Sequence, residues 1–226
     1  MTGARLKQAR LAAGLTQLAA ARQFGLSQPY LSQLERGRRQ VTPGLARAAA
    51  KLYRLPPTAL AAPTNFREGG DPRRLPNQLA ALGYPGYAHL RKSPPVNPAV
   101  VVFDALSDEN LDGRVAEALP WVLARFPELD WTWLLDHVRR HDFQNRLGFL
   151  VTVARSLAEK SVDRATAAKL RRIHDELERA RLVAETTLGR AAMPAAEREW
   201  LREHRSPEAR HWNVLSGLSV RELPYA

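Results

Sequence analysis

Gln28, Ser32 and Gln33 are the side chains of this 226-residue sequence best suited to reading another molecule. A glutamine carries an acceptor and a donor side by side, which match the N7 and N6 atoms on the major-groove edge of adenine, and a serine bonds several base edges. Pro29 follows Gln28, in a place where the first turn of a helix does not need its backbone donor and where its ring can touch a thymine methyl. Leu31 and Leu34 are three apart and commit one face of the segment inward. That leaves Gln28, Pro29, Tyr30, Ser32, Gln33 and Arg36 facing outward. The base-reading candidates are therefore Gln28, Pro29, Ser32 and Gln33. Thr16, Gln17, Arg22, Arg36, Arg38 and Arg39 are the candidates for nucleic-acid backbone contact. Thr16 and Gln17 open a helix, whose N-terminus favours a phosphate, and the arginines supply charge without sequence information.

Such side chains need two short helices set at a steep angle. Thr16 and Ser27 occupy N-cap positions, and Gly25 between them permits a tight reversal. The second helix then stands in a major groove while the first crosses the backbone. A helix over Thr2–Ala13 precedes the pair, with Leu6, Ala9 and Ala13 as its apolar stripe and Leu11 at one edge. Thr42-Pro43 opens another helix, with Leu45, Ala48, Ala49 and Leu52 inward. Pro56-Pro57 breaks it, and a short fifth turn near Thr58–Ala61 closes the bundle.

The ordered series Leu6, Arg10, Gly14, Leu15, Thr16, Gln17, Ala21, Gly25, Leu26, Ser27, Leu31, Ser32, Glu35 and Gly37 makes residues 6 to 60 resemble the Cro/repressor-type (Xre-like) helix-turn-helix family of phage repressors and bacterial antitoxins. The resemblance implies a DNA-binding head. It also implies that Gln28 reads a base, that Gln17 bonds a phosphate while bracing Gln28, and that Arg10 and Glu35 form a structural ion pair between the first and third helices. Ala20 stands where the family usually has leucine, and Leu18 and Phe24 are expected to fill that volume.

Charge agrees with this reading. Residues 1 to 60 carry ten basic side chains and one acid, Glu35, whereas the remaining 166 carry 24 basic and 22 acidic groups. A basic head on a nearly neutral body is the footprint of a nucleic-acid-binding module. An unpaired carboxylate would repel DNA, which again gives Glu35 a structural partner. The absence of cysteine excludes disulfide and thiolate chemistry. The longest apolar stretches, 99 to 103 and 147 to 154, are too short for a bilayer, which needs about 20 residues. No leader pattern is present, and a cytoplasmic, nucleoid-associated protein is expected.

Catalytic motifs are missing. There is no phosphate-binding glycine loop and no nucleophile elbow. His137 and His141 share a helix face, but Arg139 and Arg140 lie between them and the glutamate of a zinc-protease motif is absent. His174 beside Asp175 and Glu176, and His204 beside Glu203, read as solvated helix faces. No metal, cofactor or enzymatic activity is expected.

The fold class expected is all-α: a five-helix repressor-like bundle over 1–61, a Pro/Gly-rich linker over 62–97, and a second helical domain over 98–226. The breakers Pro63, Gly69, Gly70, Pro72, Pro76, Gly83, Pro85, Gly86, Pro94, Pro95 and Pro98 mark the linker. Within it, Asn77–Leu82 can make a helical turn, and Tyr84 and Tyr87 can dock on a neighbour. Helical patterns follow over 98–106, 112–125 (interrupted or kinked at Pro120), 130–140, 144–160, 163 to about 187, 194–204 and from Ser206-Pro207 towards Asn213. The apolar end of the chain, with Trp212, Leu215, Leu218, Leu223 and Tyr225, either packs on its own domain, the commoner fate of such a segment, or is a partner-binding tail. The function expected is a homodimeric regulator of double-stranded DNA, an autorepressing antitoxin whose second domain binds a toxin. A ligand-sensing repressor with a Trp-lined pocket is the alternative, and an enzyme with a DNA-targeting head is the third reading.

Overall fold

A computed structural model describes residues 1–63, 74–90, 93–94, 96–223 and 225, with Glu222 described by its backbone alone. The breakers Gly69, Gly70, Pro72 and Pro95 of the expected linker lie outside those residues. The amino-terminal part contains α1 (Gly3–Ala12), α2 (Gln17–Gln23), α3 (Gln28–Glu35), α4 (Pro43–Leu52) and a single 3-10 turn, Pro57–Ala59, in place of a fifth helix. Thr2, Thr16, Ser27 and Thr42 cap the four helices. Each hydroxyl accepts from the backbone N–H three residues on, at 3.3, 3.1, 3.3 and 3.3 Å. The helices bury Leu6, Ala9, Ala20, Ala21, Leu31, Leu34, Ala49 and Tyr53 together.

Three details of this core differ from the sequence pattern. Ala13 is exposed, because it follows the last helical residue of α1. On α4 the buried positions are Ala46, Ala49 and Ala50, with Leu45 and Leu52 half-buried and Ala48 in solvent. Leu18 is 51% exposed and does not fill the space beside Ala20. Two helix positions are a little over half a turn apart, so Leu18 and Ala20 face opposite ways. Phe24 does pack inward, edge-on to the Tyr53 ring at 5.7 Å.

Much of the expected linker is core. Leu75–Leu82 forms α5, which packs against α6 and α7 and buries Leu75, Leu79, Ala80 and Leu82. Tyr84 and Tyr87 are buried around the 3-10 turn Pro85–Tyr87. Breakers here punctuate short helices: Pro76 stands in the first turn of α5 and Gly83 ends it. Composition alone does not separate that pattern from an extended linker.

The carboxy-terminal body contains α6 (Pro98–Ser107), α7 (Gly113–Arg125), α8 (Trp131–Arg140), α9 (Gln144–Lys160), α10 (Arg164–Glu178), α11 (Ala195–His204) and α12 (Pro207–His211). α9 is its axis. The helix is apolar on most sides, as a centrally buried helix must be, and it packs against α7, α8, α10 and α12. α7 runs through Pro120 uninterrupted. α10 ends at Glu178, short of the expected residue 187, and Thr186–Thr187 forms a two-residue strand, β1. It pairs in parallel with β2 (Val214–Leu215), Thr186 opposite Val214 and Thr187 opposite Leu215.

That ribbon fixes the end of the chain at home. Trp212 and Leu223 are buried in the body's main core, with Leu218 and Tyr225 half-buried against it, and Leu215 is buried with Met193 and Leu201 in a separate small cluster. The Tyr225 hydroxyl donates to the Glu117 carbonyl. Of the two fates open to the candidate partner-binding tail, packing at home or docking into another chain, the structure shows the first for these side chains.

Among the described residues, Asn97 and Trp133 hydrogen-bond to the end of the amino-terminal bundle. Asn97 caps α6 by accepting from Ala99 N–H at 2.9 Å, and its Nδ2 donates to the Leu60 carbonyl at 2.7 Å. The Trp133 indole donates to the Pro63 carbonyl at 2.9 Å. No helix among the described residues is long and apolar enough to cross a membrane.

Candidate nucleic-acid interface

α2 and α3 are joined by Phe24–Ser27. Gly25 adopts φ +66°, the left-handed region where a side chain is strained and glycine is not. The reversal sets the first turn of α3 beside the first turn of α2, and four polar side chains then connect the core to the surface. Arg10 Nε and Nη2 donate to the two carboxylate oxygens of Glu35 at 2.6 and 3.0 Å. Arg10 Nη1 donates to the Leu15 carbonyl at 2.8 Å. Gln17 Nε2 donates to Glu35 Oε2 at 2.9 Å, and Gln28 Nε2 donates to Gln17 Oε1 at 2.7 Å.

The inner end of this chain of bonds is buried, with Arg10 and Glu35 only 6% and 4% exposed. Burial opposes ionisation of Glu35. The hydrogen bonds from Arg10 and Gln17, with the charge of Arg10, outweigh it and hold the carboxyl below its ordinary range. The bond to Glu35 likewise raises the Arg10 pKa against the effect of burial. Tyr53, buried nearby and facing the Glu35 charge, is pushed up to about 12. Glu35 thus stays ionised but is turned away from any anion at the surface. This is the bracing pair that the sequence resemblance implied.

The outer end is open. Gln28, Pro29 and Gln33 are exposed on α3, and Ser32 is half-buried. Arg22, Arg36, Arg38 and Arg39 are exposed around them. Thr16 is exposed as well, but its hydroxyl already caps α2. One arrangement escaped sequence reasoning. Arg39 Nε donates to Gln33 Oε1 at 2.8 Å, and its guanidinium lies over the Tyr30 ring, 5.1 Å from the centroid. Gln33 therefore offers its amide donors rather than a free acceptor, and Tyr30 is a platform for a cation. Nothing in the local pattern signals this contact, because it spans the end of α3. The face as a whole presents amide groups and arginines, a combination suited to base edges flanked by phosphates.

Residues 2–62 match the family model described as "Helix-turn-helix domain". No curated protein and no solved structure matches the chain.

Proposed function

With residues 2–62 a helix-turn-helix domain of the Cro/repressor type, we propose that the chain is a sequence-specific transcriptional regulator that sets α3 in a major groove. The observation that carries the reading is the bond from Gln28 to Gln17. It uses one Nε2 hydrogen of Gln28 and leaves its Oε1 and its second N–H for a ligand. An acceptor beside a donor is the complement of adenine N6 and N7. Arg38 and Arg39 flank the face and supply phosphate contacts. One such helix reads a half-site, so a homodimer on two half-sites about one DNA turn apart completes the proposal.

Binding to the protein's own promoter, with each operator position substituted in turn, tests this. Gln28→Ala is expected to lose about 1–3 kcal/mol of discrimination at one base position. Arg38→Ala is expected to weaken every sequence alike and to lower the slope of log affinity against log salt by about 1. Equal weakening of all duplexes by Gln28→Ala refutes base reading by that residue. Failure of the whole chain to hold any duplex in dilute buffer sinks the regulator reading.

The toxin-binding role expected for the second domain was favoured only slightly by the apolar tail, and the burial of that tail removes this one clue. A ligand-sensing repressor is the reading the body favours. A half-open cleft of about 310 Å³ lies where α7, α9 and α10 meet the end of the chain, lined by Trp121, Leu157, Thr166 and Tyr225 with Lys160 and Asp163 at its polar side. That size and lining suit a small, partly aromatic molecule. Native mass spectrometry of protein from its own host is expected to show a retained small molecule, lost in Ala124→Phe, which fills the cleft. Identical spectra for the two proteins remove the sensing reading.

A further inference from the structure

Far along the chain from the DNA-reading helix, three metal-ligating side chains converge. His174 and Glu178 lie one turn apart on α10, and His211 ends α12. The ligand atoms of the three all lie within 4.8 Å of one another. His211 Nε2 is 2.7 Å from Glu178 Oε2. We propose that His174, Glu178 and His211 bind a divalent transition-metal ion, Zn²⁺ in preference to Mg²⁺ or Ca²⁺. The ion clamps α12, and with it the end of the chain, onto α10.

The geometry needs little adjustment. Ligand bonds of about 2.0–2.2 Å in a tetrahedral zinc site place donor atoms about 3.3 Å apart, so the ion needs small side-chain rotations that open the 2.7 Å His211–Glu178 contact and bring all three donors to that spacing. Two imidazoles and one carboxylate form a borderline donor set that suits Zn²⁺ and discriminates against ions preferring all-oxygen cages. The Glu178 and His211 side chains are half-exposed, which leaves room for water as a fourth ligand.

The ligands also stand on fixed supports. The His174 side chain is 17% exposed, and both histidine rings meet the Trp212 indole edge-on at 5.4 Å. Trp212 is wholly buried and is held by its indole N–H donating to Thr152 Oγ1 at 2.8 Å. α10 is anchored by buried Leu170, Ile173 and Leu177. Asp175 Oδ1 lies 3.4 Å from His174 Nδ1, the position of the carboxylate that orients a ligating imidazole through its other nitrogen. Arg181 opposes a cation. It pairs with the other oxygen of Glu178, Oε1, at 3.4 Å and donates to the His211 carbonyl, so Oε2 and the imidazole remain for the ion.

The test is titration of the metal-stripped, full-length protein with zinc chloride by calorimetry, followed by Co²⁺ and its visible absorption. One ion per chain is expected, with a tetrahedral Co²⁺ spectrum. Glu178→Gln and His211→Asn are each expected to lower the affinity at least about tenfold, the loss that even an outer-shell partner costs a metal site. His137→Gln, which alters the His137/His141 pair on α8, is expected to bind as the parent does. Circular dichroism checks the fold of each variant. If His211→Asn unfolds, the isosteric Glu178→Gln decides alone. Absence of stoichiometric binding, or undiminished binding by Glu178→Gln, overturns the proposal.

Discussion

Arg10→Ala is expected to destabilise the amino-terminal bundle by about 3–5 kcal/mol, the cost of leaving one member of a buried ion pair without its partner. Glu35 would keep its burial and lose both of its bonds to Arg10, with only Gln17 left to donate to it. A bundle of about 60 residues has only about 3–9 kcal/mol of stability in total, so most of it disappears. Hydrogen exchange checks this: protection of α1 to α4 should collapse while that of α9 stays, because the two cores share no residue. Unchanged protection in α1 to α4 removes the pair from the account of stability. The double substitution Arg10→Met with Glu35→Leu separates stability from reading. It is expected to restore folding, since an apolar pair of similar volume costs little, but not DNA discrimination, since Gln17 has lost its anchor. Acid should imitate the single variant. The Glu35 carboxyl lies below its ordinary range when folded, so its contribution is complete above that range and is lost as pH falls through the lowered value.

The second large effect is expected at Trp212. Its indole is wholly buried against α9, and a Cβ added to Gly148 would come within 2.4 Å of the ring. The backbone of α9 and the indole therefore meet with no side chain between them. Trp212→Ala should cost about 3–5 kcal/mol, since it removes the largest fully buried side chain of the body and leaves a cavity along α9. Thr152 still donates to the Gly148 carbonyl at 2.8 Å, so the loss is one of packing more than of hydrogen bonding. Gly148→Ala probes the same contact from the other side and should cost about 1–3 kcal/mol through overpacking. Urea denaturation measures both. A Trp212→Ala midpoint close to that of the parent would mean that the end of the chain is not anchored there.

What could be read in advance was local. Thr16, Ser27 and Thr42 announce helix starts because a cap acts over three residues, and the caps stand where the side chains placed them. Glu35, the lone acid of the head, pointed to a buried partner for an electrostatic reason. The end of α10 could not be read, because the residues after Glu178 keep good helix propensity. A tertiary contact stops the helix's path: Asn145, buried on α9, accepts from Leu182 N–H at 2.8 Å and donates to its carbonyl at 2.9 Å, steering the chain towards β1. The same gap hid the convergence on His174. In the sequence, His174 beside Asp175 and Glu176 reads as a solvated face; Glu178 stands one turn from it on α10, and His211 reaches the pair only through the packing of α12 on α9. The length of the buried end segment was visible. That it folds back, rather than reaching out, is decided by where the parallel ribbon places Val214 and Leu215.

The order of bonds from Glu35 to Gln28 has a sense of direction. A carboxylate can only accept, so Gln17 must point its NH₂ inward and its oxygen outward, and Gln28 must follow suit. A charge hidden in the core thereby dictates, two side chains away, which lone pair and which hydrogen Gln28 presents at the surface. Put an amide in place of that carboxylate, as in Glu35→Gln, and both glutamines are free to turn end for end, so that one surface would carry two opposite messages.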